Sequence, residues 1–142
     1  YRTILEPAGR AGFELVRPSP GVWSAQEYVC HVRDVLLVQR ERILLALVEE
    51  CPSFSRMYRD ERVELAGYHE EALSEVLIEL GVAIGLFARV SDALSLDQAS
   101  RRCIYNFPES AERDVAWLCR HTLHEVTHHL LDVKSVVAQV SR

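Results

Sequence analysis

"WSAQEYVCHVRDVLLVQRERILLALVEE" (residues 23–50) decides the architecture. Ser24 and Glu27 stand at the N-cap and N3 positions of a capping box, where each side chain takes the other's backbone N–H. Trp23 before the cap and Tyr28 at N4 fit the hydrophobic staple that fixes the angle at which a chain enters a helix. Tyr28, His31, Val35, Val38, Arg42 and Leu45 then recur every three or four residues, the period of one helix face. The spacing predicts a helix from the cap to about Glu50, where "CPS" (51–53) stops it.

Three more helical segments flank this one. A weakly marked helix covers Glu6 to Val16: Pro7 suits a first helical position, Gly9 and Gly12 weaken it, and "RPSPG" (17–21) ends it. "YHEEALSEVLIELGVAIGLFARVSDAL" (68–94) carries Leu73, Leu77, Leu80, Ile84, Phe87 and Val90 as an apolar stripe. Glu70 and Glu71 in its first turn suit the helix dipole. Gly81 and Gly85 each cost about 1 kcal/mol against alanine, and close approach of a neighbouring helix would account for them. The last segment runs from Asn106 or Ser110 to about Gln139. Its Val115, Leu118, Val126, Leu130, Val133 and Val137 are apolar on more than one side, as in a helix covered over most of its circumference. With longer connections at 51–67 and 95–109 and almost no strand, the expected fold is an all-α four-helix bundle with long crossovers. Such bundles build metal and ligand sites from inward side chains of facing helices.

The 142 residues suffice for one domain, and a chain of this length buries a core without help from disulfides or metal. A net charge of −5 with no basic block lacks the cationic face that nucleic acid demands. The runs "VLLV" (35–38) and "ILLALV" (43–48) fall far short of the ~20 apolar residues of a membrane span. No charged stretch followed by an apolar one opens the chain, so no signal peptide is expected and the cytoplasm is the expected location. Cys30, Cys51, Cys103 and Cys119 are widely spaced with no C-x-x-C pair, which reads as reduced, mostly buried thiols.

Chemistry concentrates in "HTLHEVTHHLLD" (121–132), which holds four of the six histidines. At about 100° per residue and with His124 at zero, His128 falls at about 40°, Trp117 at about 20°, His121 at about 60° and Leu131 at about −20°. On this wheel the three histidines share a face with two large apolar residues, and His129, at about 140°, points away. Two imidazoles four residues apart can converge on one ion. Buried without a ligand they would lack partners or repel; on an exposed helix they would be ordinary polar residues. His31, on the apolar stripe of the second helix, supplies a third imidazole. Together His31, His124 and His128 make a metal site with open coordination positions. His69 sits at a helix start and is expected in solvent; His121 is expected to line the pocket.

Residues 124–128 also spell H-E-x-x-H, in which the glutamate is the general base of zinc proteases. Leu131 and Lys134 stand where a metzincin continues with glycine and a third histidine, and no edge strand is expected to hold an extended peptide. A metallohydrolase of this type is therefore a remote alternative, with Glu125 kept as a base beside the site.

With "WSAQEYVCHVRD" and "LCRHTLHEVTHHLLD" both read, the chain resembles the DinB-like superfamily of four-helix-bundle metalloproteins. That superfamily includes bacterial thiol S-transferases and, more distantly, the mycothiol-dependent maleylpyruvate isomerases. The resemblance covers residues 1–142 as one domain. It is specific at a Trp-Ser start followed by histidine on the second helix, and at a late H-x-x-x-H on the fourth. It implies His31, His124 and His128 as ligands of a divalent ion, zinc or nickel most often, with water completing the shell. It also implies a homodimer and a low-molecular-weight thiol as co-substrate, although many members have no known activity. Arginine often follows the last ligand in this family. Here that position is His129, and its role stays open.

The functional expectation is a metal-dependent enzyme acting on a small molecule by thiol transfer or a related reaction. Arg42 and Arg120 are candidates to grip an anionic group, and Trp117 and His121 to line the pocket. Arg42 reads more simply as a snorkelling residue at the bundle end, and Trp117 as core packing. The competing expectations are a non-catalytic, metal-stabilised sensor or binding module, and a metal-free bundle with vestigial histidines.

Overall fold

The capping box forms as its residues require. In a computed structural model covering residues 1–142, the Ser24 N–H donates to Glu27 Oε2 at 2.7 Å and the Glu27 N–H donates to Ser24 Oγ at 3.2 Å. The helix they open, α2, spans Ala25–Val48, and the staple rings of Trp23 and Tyr28 lie 5.2 Å apart between centroids. Glu27 is buried and also receives the Arg17 guanidinium, which fastens the preceding loop to the first turn.

Ahead of it, α1 spans Arg2–Arg10, earlier than the expected Glu6–Val16. Gly12, with φ +75°, stops it: the Phe13 N–H reaches back to the Ala8 carbonyl and the Gly12 N–H to the Gly9 carbonyl, the paired bonds of a Schellman cap. Gly9 earns its place by contact, since a Cβ there would stand 2.6 Å from the Leu73 side chain.

The expected third helix divides. Arg59–Leu65 form a short α3, Tyr68 is fully buried in the link, and α4 spans Leu73–Asp92. The long crossovers also carry more structure than expected: a one-turn α5 at Leu96–Ala99 and a three-stranded sheet. In it β1 (Ser53–Phe54) pairs parallel to β2 (Arg102–Asn106), which pairs antiparallel to β3 (Ser110–Asp114). The final helix, α6, therefore spans Val115–Val140 and begins after the hairpin, with Asp114 as its N-cap, where the sequence pointed to Asn106 or Ser110. The missed signal in β2 is its alternation, Cys103 and Tyr105 inward and their neighbours more exposed. β3, "SAERD", is polar on both faces and offers no apolar period to read.

α2 is the axis of the bundle. Its amide Gln26 Nε2 donates to the carbonyls of Tyr68 and Glu71, and Arg33, two turns on, pairs with Glu71 and Glu79, so α4 runs parallel to α2. α6 runs antiparallel: His129 lies against Tyr28 and His31, whereas Trp117, near its start, packs on Tyr105, to which Gln39 donates. α1 completes the four through the Tyr1 hydroxyl, which donates to the Val126 carbonyl at 2.6 Å. The shared core includes Leu5, Val29, Ile43, Val76, Leu118 and Val133. No helix is long and apolar enough to cross a membrane.

Candidate metal centre

The inward face of α6 is set by Val115, Leu118, Thr122, Val133 and Val136, all buried. At about 100° per residue these lie within about 40° of His129, and Glu125 also falls at about 40° from it. His124 then lies at about 140° from that face and His128 at about 100°. Both are exposed, with rings stacked 6.0 Å apart. The expectation that His124 and His128 meet His31 is thus corrected. A wheel phased on the histidine pair and on Leu131, itself exposed, misplaces the inward face; phased on the small and branched apolar residues, it points to His129.

His31 holds the position expected of it, buried on α2. It faces His129, the ring centroids being 5.0 Å apart at 82°. The ligand atoms of His31, Glu125 and His129 all lie within 4.8 Å of one another, with Glu125 Oε2 3.7 Å from His129 Nε2. The staple residues close the far side: Trp23 packs edge-on against His31, and Tyr28 lies 5.4 Å from His129. The capping signal that starts α2 also builds the wall of this cluster.

Its hydrogen bonding is incomplete in an informative way. His129 Nδ1 lies 2.8 Å from Asp132 Oδ2. A carboxylate only accepts, so Nδ1 carries the proton and Nε2 is left to face the cluster. Both His129 Nε2 and His31 Nδ1 are buried without a hydrogen-bond partner. Leaving such a nitrogen unsatisfied costs about 1–3 kcal/mol, and a divalent ion accepting two imidazole lone pairs and a carboxylate would satisfy all three side chains. The donor set fits an ion with open positions, and Asp132 behind His129 is the carboxylate–histidine arrangement that orients a ligating ring.

The charges are set by burial and by the two carboxylates, and an ion at His129 Nε2 would have to displace the proton that those carboxylates favour. Burial, and then the neighbouring His129, push the His31 imidazole down to about 4, so it is neutral near pH 7. Burial also opposes charge on His129, but Glu125 and Asp132 outweigh it and hold that imidazole above its ordinary range. The His129 imidazole in turn keeps the Glu125 carboxyl below the usual carboxylate range, against its own burial.

A pocket of about 240 Å³ opens onto His31 and Glu125. Val35, Gln39, His121 and Tyr105 form its inner wall, and Arg56 to Glu61, with Phe107 of the hairpin, form its rim. His121 lines it as expected, stacked on Trp117 at 4.6 Å, and burial lowers its basicity. Trp117 stands behind His121 and Tyr105, outside the lining. Arg42 is buried, bonded to Gln39 Oε1, the Tyr105 hydroxyl and the Ser55 carbonyl, and does not reach the pocket. Arg120 is exposed beside Asp114 and also lies outside it. The cations at the mouth are instead Arg56 and Arg59, on a connection with no periodic signal.

Fold and cluster together define a helical bundle with candidate His/Glu metal ligands at the floor of an open pocket. The family profile of the DinB superfamily matches residues 14–133. The chain belongs to the DinB superfamily. Among solved structures it is similar to YfiT from Bacillus subtilis, with a TM-score of 0.80 at 18% identity over 98% of this chain and 81% of that one. YfiT is described as a probable metal-dependent hydrolase with an unusual four-helix bundle topology. No curated protein matches the chain.

Proposed function

We propose that this protein is a metal-dependent enzyme acting on a small molecule, with His31, Glu125 and His129 holding the ion. The observation that carries the reading is that His31 and His129, each with a buried, partnerless ring nitrogen, bring ligand atoms within 4.8 Å of one another and of Glu125 beside an open pocket. A divalent ion there supplies Lewis acidity and lowers the pKa of a bound water or thiol. The chain's residues do the rest. Asp132 fixes the His129 tautomer. His121, neutral and on the pocket wall, is placed to take up a proton from the nucleophile. Gln39 and the Tyr105 hydroxyl orient polar groups of a substrate, and Arg56 and Arg59 attract an anionic end. The description of YfiT favours water as nucleophile, and the superfamily resemblance favours a low-molecular-weight thiol. Zinc and nickel both suit two imidazoles and a carboxylate.

The test begins with metal content after desalting. The wild type should retain close to one equivalent; Glu125→Ala and His129→Ala should lose it while circular dichroism stays helical, and His124→Ala should keep it. Metal-restored protein is then assayed on activated esters, amides and alkylating electrophiles, each with and without thiol. Turnover needing thiol selects transfer, and turnover in its absence selects hydrolysis. Metal that raises only the melting temperature would favour the non-catalytic module. Retention by His129→Ala and loss by His124→Ala would overturn the ligand set.

A further inference from the structure

Arg42 carries a buried charge that no carboxylate of the chain meets. It is 7% exposed, and its hydrogen bonds all go to neutral groups: Gln39 Oε1, the Tyr105 hydroxyl and the Ser55 carbonyl. The rings of Phe54 and Tyr105, at 5.7 and 5.1 Å, soften the charge without cancelling it. Burial works against the ionised form. Buried charges are ordinarily paired, and the bonds around Arg42 show where an anion would be received.

A guanidinium only donates, so the Gln39 amide turns its oxygen to Arg42 and its nitrogen to Tyr105. The Tyr105 oxygen then accepts from Gln39 Nε2 at 3.1 Å and from Arg42 Nη1 at 3.3 Å. Both of its lone pairs are taken, and its own hydrogen has no acceptor in the chain. Gln39 Nε2 gives one of its two hydrogens to Tyr105 and likewise has no second acceptor. Gln39 and Tyr105 line the pocket, and Arg42 stands behind them. The inner wall therefore holds two unused donors on atoms 3.1 Å apart, with a positive charge at their back. Two donors at that spacing suit the two oxygens of one carboxylate, and one guanidinium balances one negative charge. A phosphate group would bring a second charge that nothing here balances.

We infer that the inner wall of the pocket is a carboxylate subsite, in which the Tyr105 O–H and the Gln39 N–H receive the carboxylate of a small organic acid and the Arg42 charge offsets its own. Naming that acid as substrate rests on the proposed small-molecule enzyme; the subsite itself does not need the ion. The expectation that Arg42 grips an anionic group returns in altered form, since it acts through its two neighbours and not by contact. Arg56 and Arg59 at the mouth draw the acid in, and the wall seats it.

Binding to the chelator-treated full chain tests this, because no ion then competes for the carboxylate. The probes are benzoate, its neutral isostere benzamide, and inorganic phosphate, titrated at constant ionic strength and followed by NMR of the protein. Benzoate should bind at one site, about tenfold more tightly than benzamide or phosphate. Tyr105→Phe keeps the ring and loses the hydrogen, and should weaken benzoate about tenfold, or ~1.4 kcal/mol. Gln39→Glu sets a carboxylate of the chain itself beside Arg42. It should raise the melting temperature by about 3–5 °C and abolish benzoate binding. No binding of benzoate to wild type overturns the subsite. So does equal binding of benzamide, a preference for phosphate, or benzoate binding that neither variant changes. A Gln39→Glu protein less stable than wild type shows that Arg42 needs no counter-charge, and overturns it too. Every measurement is made without metal, so failure of the metal centre leaves these results standing, and failure of the subsite leaves the metal centre standing.

Discussion

His129 is decided by a carboxylate that it touches and by a phase it shares. Asp132 takes its Nδ1 proton, and Val133 and Val136 hold it on the inward side of α6. Replacing Asp132 by Asn removes the acceptor-only partner while keeping the shape. The ring is then free to change tautomer, and metal affinity should fall about 10–100-fold, read by competition with a chromogenic chelator. His31 was legible because one face of α2 is marked by large residues on either side of it. His129 was not, because α6 places leucines outward at Leu123 and Leu131 and a polar Thr122 inward. Hydrophobicity alone then misphases the helix, and the more familiar H-x-x-x-H spacing of His124 and His128 completes the error. Glu125, read as a base, sits among the ligand atoms themselves.

At the scale of the element, α2 shows how much one cap determines. Its capping glutamate is buried, takes the Ser24 N–H and holds Arg17. Burial raises the carboxyl's pKa, but Arg17 and the Ser24 N–H outweigh burial and leave it below the ordinary value. The sign follows directly: an unfolded glutamate near about 4.3 binds protons that the folded one does not. The contribution is therefore complete above that pH and is lost as pH falls through the lower folded value. Glu27→Gln should cost about 2 kcal/mol at neutral pH, with a shallower loss of stability between about pH 5 and pH 3 than wild type, measured by urea midpoints. This start was fully legible, since a cap depends on four consecutive residues. The hairpin was not: β3 is short, polar and half its partner's pattern, and its pairing partner lies across a turn that carries no Asn-Gly or Asp-Gly signal.

Across the whole molecule, the crossovers turn out to be the enclosure of the site. The bundle, its helix order and its long connections were readable from periodicity. What the connections do was not, because their contacts are non-local: Tyr105 of β2 meets Gln39 of α2, and the rim from Arg56 to Glu61 meets the pocket from the other side. Arg42 ties these parts together from within, bonding to α2, β2 and the Ser55 carbonyl at once. Arg42→Met should therefore lower stability by about 3 kcal/mol by leaving the Ser55 carbonyl and Gln39 Oε1 without a donor. It should leave metal stoichiometry unchanged, which thermal melts and elemental analysis together would show.

The outward histidines have a practical consequence. His124 and His128, a turn apart on open helix surface, form a chelating pair of the kind that immobilised-nickel resins capture. An untagged preparation will be retained on such a column through its surface, whatever the state of its interior. Imidazole elution followed by a brief chelator wash then distinguishes surface metal from an ion at the proposed inner site: the outer one exchanges with the medium, and the inner one, held by three side chains at the floor of the pocket, should leave more slowly.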